Sequence, residues 1–438
     1  SEEQSLTRQL TRAMDGVLPE FDQAQTIRSF PEAKFDALGL DALLGPAERD
    51  VRDRVRQFAV RWDWLGGTGK GQTSKVAPVV CDFWEKAEFP HVLVPEFGKL
   101  NIGGGPLKEY GCPGMSSLGM AMANIELARV DGSMSTFYMV HCALGVLTIG
   151  LLGSDAQKRE LLPDLHTFKK VAAWALTEPS NGSDASALQS TATRVLGGWR
   201  LNGRKRWIGN ATFADVVVVW ARSSETGEVN AFIVRKGAPG FSARKIENKI
   251  ALRCVQNADI ELRDVFVPDS DRLPGVNSFK DTNKVLGASR VQVAWQPVGL
   301  AAGVYDVCLR YVQQRAQFGA TLSSFQLVQE RLARIQATVQ AMYLMCWRLS
   351  ALYDAGNMTH EQSSLVKAWT TARGREVVSL GRELLGGNGI VSDFGVAKAF
   401  CDAEAYYSYE GTYDVNVLVA GRGQTGVSAF KPARKNAA

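Results

Sequence analysis

The hydrophobic period changes twice along this chain, and that change constrains its fold more than any single motif does. In the first part, apolar residues recur at helical spacing: Val51, Val55 and Phe58 after Glu48, then the stretch from Val76 to Glu88, then Leu118 to Leu152. Between Val171 and Pro274 the pattern shortens to β-rich runs (VAAWAL, ATRV, WRLNG, KRWIG, DVVVVWA, NAFIV, DIELRDVFV), separated by Gly-Gly, Asn-Gly and Thr-Gly turns. From Val285 to Gly421 amphipathic stretches return, long enough for the helices of a bundle. The expected fold class is α+β and multidomain. It comprises an N-terminal arm over residues 1–47, an N-terminal helical domain over 48–170, a central antiparallel β-domain over 171–284, and a C-terminal four-helix bundle with a tail over 285–438. At 438 residues the chain exceeds what one hydrophobic core normally serves.

Composition narrows the function. A chain 45% apolar and 22% charged folds around a core rather than staying disordered. Fifty Lys and Arg against 45 Asp and Glu leave +5 over the whole length, too little for a nucleic-acid partner although it suits an anionic ligand. The seven cysteines (Cys81, Cys112, Cys142, Cys254, Cys308, Cys346, Cys401) are far apart with no C-x-x-C, and read as reduced thiols of an intracellular protein. The four histidines (His91, His141, His166, His360) lie neither at i, i+4 spacing nor beside a cysteine, so no metal is expected. The longest nearly apolar stretch, Cys142 to Leu152, is too short to span a bilayer, the start has no signal-peptide core, and a soluble chain without membrane association is expected. The Gly-Lys in GGTGKGQTSK is not a phosphate loop, because Walker spacing would need Gly at Trp64 and Ser or Thr at Gly71.

Four segments carry more chemistry than packing requires. TEPSNGSD, Thr177 to Asp184, offers Thr177, Ser183 and turn N–H donors, the surface that a flavin's pyrimidine edge or a thioester ligand needs; an ordinary Asn-Gly turn reads the same way. KRWIGN, Lys205 to Asn210, supplies an aromatic wall in Trp207, or simply a half-buried strand tryptophan. RAQFG, at Arg315 to Gly319, brings a charge that a diphosphate wants, and the GGNG at Gly386 to Gly389 allows close backbone approach, although a helix C-cap looks identical. YEGTYDVN, Tyr409 to Asn416, sets a lone carboxylate, Glu410, between Tyr and Gly; a solvated surface glutamate is the bland alternative.

Together and in this order, these motifs resemble the acyl-CoA dehydrogenase and acyl-CoA oxidase superfamily of flavoproteins, over nearly the whole chain after residue 47. Through EYGCPG, RKRWIGNATFAD, DRLPGVNSF, VAWQP, GRELLGGNGI and SAFKP the resemblance runs closest to plant-type peroxisomal short-chain acyl-CoA oxidases, and next to glutaryl-CoA dehydrogenases. It implies FAD as cofactor and Glu410 as the general base that removes the α-proton of an acyl-CoA, with Arg290 orienting it. Thr177, Trp207, Ile208, Gly209, Thr412 and Asp414 would contact the flavin, with Ser183 meeting both cofactor and acyl-CoA. Arg315, Gln317, Phe318, Gly386 and Gly387 would grip the adenylate half bound to a neighbouring subunit, which implies a homodimer or homotetramer. Tyr409 and Gly411 would border the substrate.

The resemblance makes this an acyl-CoA oxidase that forms trans-2-enoyl-CoA from short chains and passes electrons to O2. The alternatives are a short-chain or glutaryl-type dehydrogenase that passes them to an electron-transfer flavoprotein, and a nucleic-acid-binding flavoprotein whose basic residues would be Lys431, Arg434 and Lys435. Gly209 stands where the family more often has Thr, and a missing side chain there is expected to leave room for oxygen. Glutaryl-type relatives carry an Arg and a Ser in the segment after the acidic helix, where this chain has Ser135 and Met139. Phe137 and Met139 are expected to close the tail end of a pocket for monocarboxylic acyl groups, although a helix that merely packs would show the same pattern. A peroxisomal location is expected, with mitochondrial as the alternative; the chain ends Lys435-Asn436-Ala437-Ala438 without a Ser-Lys-Leu-like tripeptide.

Overall fold

The computed structural model describes residues 23–60 and 75–428. The GGTGKGQTS segment at 66–74 and the basic cluster Lys431, Arg434 and Lys435 lie outside the described residues. The first helical part contains α1 (Pro46–Ala59), α2 (Val80–Lys86), α3 (Val94–Lys99), α4 (Ser117–Val130), α5 (Gly132–Leu152) and α6 (Asp155–His166). Each longer helix has a start signal. Pro46 opens α1, and the Ser116 and Asp131 side chains accept the third backbone N–H of α4 and α5. A reciprocal capping box of Ser154 and Gln157 starts α6.

Helix α5 corrects the reading of the apolar run. It is 21 residues long and apolar enough by length and composition to cross a membrane, yet 89% of its most apolar window is buried inside the protein. The run extends back beyond Cys142 because Ser133, Ser135 and Thr136 are buried as well; Thr136 Oγ1 donates to Gly132 O at 2.8 Å within the helix. Residues Val140–Val146 form a π-helical segment, a local widening of the helix.

The central part is one seven-stranded sheet: β1 (Ala172–Ala175), β2 (Thr191–Val195), β3 (Gly198–Ile208), β4 (Val216–Ser223), β5 (Val229–Arg235), β6 (Phe241–Lys245) and β7 (Ala258–Pro268). The order is β1-β4-β2-β3-β7-β6, with β5 on the other edge of β4. The sheet is mixed rather than antiparallel throughout, because β1 and β2 both pair with β4 in parallel. Two further expectations change. WRLNG and KRWIG form one strand, and Asn202-Gly203 is an irregularity inside it, not a turn. Gly203 has φ 145°, and a Cβ there would fall 2.3 Å from Ser190 Oγ, so the strand bulges where the chain passes closest. Strand β6 escaped the pattern because it pairs only with β7 and none of its residues is fully buried.

The C-terminal part holds α7 (Thr282–Gln314), α8 (Gln326–Asp354), α9 (His360–Leu384), α10 (Val396–Ser408) and α11 (Tyr413–Thr425). The expected four-helix bundle is present with its fourth member broken: α10 and α11 both pack on α9 and are separated by Tyr409–Thr412. The described part of the arm lies on this bundle. Ile27, Phe30, Phe35, Leu40 and Leu44 are buried, and the backbone N–H of Lys34 donates to Asp306 at 2.7 Å.

Candidate active site

The break between α10 and α11 places Glu410. Its φ is 52° and that of Gly411 is 85°, two successive left-handed residues that turn the chain sharply. Thr412 then caps α11 by accepting the N–H of Val415 at 3.2 Å, and Asp414 is exposed in the first turn. Gly411 O receives the Lys367 ammonium at 2.7 Å and Asn416 Nδ2 at 2.8 Å. Glu410 is thus half-buried in a fixed turn, not a solvated surface carboxylate. Ser289 on α7 donates to Glu410 Oε2 at 3.3 Å. Arg290 is half-buried beside it, and its one described hydrogen bond, to His360 Nδ1 at 3.4 Å, leaves Nε buried without a partner. The hydrogen bond to the carboxylate therefore comes from Ser289, while Arg290 acts through its charge. Burial pushes the Glu410 carboxyl above the usual range, and the charges of Arg290 and Lys367, together with the Ser289 hydroxyl, pull against that push.

Tyr409 reaches the other way. Its hydroxyl donates to Gln296 Oε1 and lies 3.5 Å from Thr136 Oγ1. Gln296 Nε2 donates to Ser135 at 3.0 Å, Ser135 to Asn124 Oδ1 at 3.4 Å, and Asn124 Nδ2 to Gln292 at 3.0 Å, a buried polar string across α4, α5 and α7. Ser135 is part of that string. Met139 is buried in the apolar cluster of Met120, Val140 and Leu144, against which Tyr409 packs. Phe137 is placed otherwise than expected: its ring is surrounded by Phe89 at 4.8 Å, Phe97 at 5.2 Å and Phe168 at 5.9 Å. It packs α5 onto its neighbours in the core.

The end of β3 meets the same helix. Thr136 and Val140 are four residues apart and share one face of α5, so the face that touches Tyr409 continues, one turn on, to Gly209. A Cβ at Gly209 would fall 3.2 Å from Val140 Cγ2 and 3.7 Å from Val255 Cγ1. The room expected beside Gly209 is therefore filled by Val140. Ile208 is buried, while Trp207 is 52% exposed with φ 65°, its indole covered on one side by the Arg206 guanidinium at 5.1 Å. Thr177 O accepts the N–H of Arg206, which ties the TEPSNGSD segment to β3, and Ser183 is exposed on that loop. What holds the loop is Glu178: its carboxylate accepts Lys205 Nζ at 2.8 Å and the N–H groups of Gln189 and Ser190 at 2.6 and 2.9 Å.

RAQFG and GGNG converge elsewhere. Arg315, Gln317, Gly386 and Gly387 line one open groove of about 550 Å³, with Tyr311 and Asn388 hydrogen-bonded at 2.9 Å along it. Phe318, next to Gln317 in the chain, is not among the groove's lining residues and is 95% exposed. The GGNG follows directly on α9, so it ends that helix and also lines the groove. Ser289 and Arg315 stand at opposite ends of α7, roughly 39 Å apart along its axis.

Sequence reasoning missed Ser289, Gln296 and Lys367. The last had a signal: Ser363, Lys367, Thr370 and Gly374 form one buried stripe at helical spacing, and a lysine on such a stripe asks for a partner. Among the described residues no group of three or more His, Cys, Asp or Glu is placed to hold a metal ion.

Against known proteins, profiles of the acyl-CoA dehydrogenase N-terminal, middle and C-terminal domains match residues 71–169, 173–265 and 279–424. The short-chain-specific acyl-CoA dehydrogenase of Clostridium acetobutylicum is 29% identical over 84% of this chain and 95% of its own length. Subunit CarC of the caffeyl-CoA reductase–Etf complex of Acetobacterium woodii is 31% identical over 76% of this chain and 90% of its own. A glutaryl-CoA dehydrogenase structure from Mycobacterium smegmatis has a TM-score of 0.85 at 33% identity, covering 91% of this chain and 100% of that one. A second from that organism, in complex with FADH2, gives 0.85 at 31%. With all three domain profiles matched in order, and with relatives of this identity spanned almost end to end, the chain belongs to the acyl-CoA dehydrogenase family.

Proposed function

We propose that this protein is an FAD-dependent short-chain acyl-CoA dehydrogenase that forms trans-2-enoyl-CoA and passes its electrons to an electron-transfer flavoprotein. The observation that carries the reading is the Glu410 turn: a half-buried carboxylate with a raised proton affinity, held by Ser289 and flanked by Arg290 and Lys367, in a turn whose Tyr409 touches the face of α5 that the end of β3 also meets. A carboxylate so placed takes the α-proton of a thioester.

The residues fit FAD. The groove of Arg315, Gln317, Asn388 and the exposed Gly386-Gly387 backbone suits a diphosphate, while the open Trp207 indole, Gly209 and Thr177 suit a flat ring. When bound, FAD supplies a hydride acceptor for the β-carbon. The groove lies at the far end of α7 from Ser289, roughly 39 Å along the helix, which favours its serving a second copy of the chain, in keeping with a homodimer or homotetramer. Glu410 holds the abstracted proton, and Ser289 fixes the carboxylate oxygen that does not take it.

Support for the electron-transfer flavoprotein as acceptor comes from two sides. The subunit from Acetobacterium is named as part of an Etf complex, and Val140 fills the space that the oxidase reading needed beside Gly209. A monocarboxylic substrate is favoured because Ser135, in the polar string, stands where the glutaryl-type relatives were read to carry a cation. Unpaired, a buried distal carboxylate costs several kcal/mol.

Anaerobic mixing with butyryl-CoA or hexanoyl-CoA is expected to bleach the flavin; the reduced, product-bound enzyme then persists in air and reoxidises with an electron-transfer flavoprotein. Stoichiometric peroxide at the turnover rate returns the oxidase reading. Glutaryl-CoA turnover to crotonyl-CoA and carbon dioxide at a rate rivalling hexanoyl-CoA overturns the substrate class.

A further inference from the structure

Lys367 is a fully buried lysine whose one described hydrogen bond goes to a backbone carbonyl, Gly411 O, the residue after the base. Backbone carbonyls near a helix end are ordinarily satisfied by water or by a side-chain amide. Gly411 O already has such a partner in Asn416 Nδ2 at 2.8 Å, so a second donor is not needed for satisfaction alone. A charged donor brought into the core for a carbonyl that does not lack one points to its charge as the reason for its presence. The carbonyl it holds belongs to the residue after Glu410, and its charge acts on that carboxylate.

We propose that Lys367 is a positioning residue for the base: it pins the Glu410–Gly411 turn through Gly411 O and, with Arg290, sets a second positive charge beside the carboxylate so that a half-buried Glu410 stays ionised. The inference rests on the reading of Glu410 as the base. The groups facing Glu410 from the elements packed around it are Ser289 and Arg290 on α7 and Lys367 on α9, with Tyr409 before it in the chain. His360 reaches it only through Arg290, and has Glu361 and Arg422 about it in turn. Burial lowers the affinity of Lys367 for its proton to about 7; Glu410 works against that fall and Arg290 adds to it. The ammonium and the carboxylate therefore support each other's charge, and losing one shifts the other.

The test compares wild type, Lys367→Met and Lys367→Arg. Its first readout needs neither flavin nor substrate: an infrared titration of the carboxylate stretch that is absent from Glu410→Gln. In Lys367→Met the protonation midpoint is expected at least one pH unit above wild type, and Lys367→Arg is expected to lie within half a unit of wild type. The second readout is the pH profile of anaerobic flavin reduction by butyryl-CoA, whose acid limb moves by the same amount while acyl-CoA affinity stays within about threefold. A carboxylate midpoint unmoved in Lys367→Met, with only thermal stability changed, overturns the proposal. If Lys367→Met does not fold, Lys367→Gln takes its place, and the same unmoved midpoint rejects it. Failure of the wild type to be reduced at all by any acyl-CoA would instead reject the dehydrogenase reading, and leaves the infrared result to decide the role of Lys367.

Discussion

On the proposed reading Glu410 is a base, useful only while it is deprotonated, and burial there favours the proton. Its carboxyl titrates above the usual carboxylate range in the folded chain, so flavin reduction falls as pH drops through that raised value and is full above it. A pH series of anaerobic reduction checks the sign. Glu410→Gln keeps the turn's shape and the groups around it; it is expected to retain flavin and acyl-CoA binding while reduction slows by roughly a hundredfold to ten-thousandfold. Bleaching at close to the wild-type rate would contradict the assignment. Gly209 and Val140 make a second case at this scale. A glycine suggested open space, and the space is occupied from the facing helix. Val140→Ala is therefore expected to raise the rate at which O2 reoxidises the reduced enzyme, measured by stopped flow; a rate equal to wild type means that Val140 does not guard that side.

At the level of elements, the site exists because a helix is interrupted. Continuing α10 straight into α11 would bury Glu410 along a helix face, whereas two left-handed residues turn it out toward α7. Gly411→Ala adds a Cβ 2.9 Å from Asn416 Nδ2 to a residue at φ 85°. The expected cost is about 1–3 kcal/mol by urea unfolding, accompanied by loss of flavin reduction. A variant as stable and as active as wild type would show that the turn tolerates another backbone. The β3 bulge is similar in kind but structural in consequence. At Gly203 the added Cβ would meet Ser190 backbone as well as its side chain, so Gly203→Ala destabilises without a specific effect on the chemistry.

Across the whole molecule, buried ion pairs join the first helical part to the bundle. Glu126 on α4 accepts Arg56 Nη2 and Arg129 Nη1, each at 2.6 Å, and Arg129 continues to Asp306 on α7 at 2.8 Å. Burial pushes Glu126 up, but Arg56 and Arg129 outweigh it and bring its carboxyl down to about 2. Because the folded value is depressed, the stabilisation is present above the unfolded value near 4.5 and is lost as pH falls toward 2, a loss of roughly 3 kcal/mol. Asp306 works in the opposite sense: burial holds it up at about 6 although Arg129 and the Lys34 N–H pull it down, so it favours the folded state as pH falls through 6. Urea midpoints measured from pH 7 to 3 are expected to fall steeply only below about 4.5, and Glu126→Gln is expected to flatten that fall. An unchanged slope in Glu126→Gln assigns the acid sensitivity to other carboxylates.

The sequence by itself determined the helical, β, helical order, the positions of the long helices, and the four motifs, because period and turn chemistry are local and survive without a partner. It also put Glu410 at a turn, since Tyr, Gly and Thr beside a carboxylate describe one that the backbone then makes, while the role given to that carboxylate came from the family resemblance. Only the tertiary structure decided the rest. A pattern states which face of an element is buried but not what lies opposite it, so β1 and β2 could not be seen to run parallel to β4. Val140 could not be seen to fill the place beside Gly209, nor Phe137 to belong to an aromatic core. Ser289 and Lys367 stand 121 and 43 residues before Glu410 in the chain, and only the packing of α7 and α9 against the broken helix brings their hydroxyl and charge to one carboxylate.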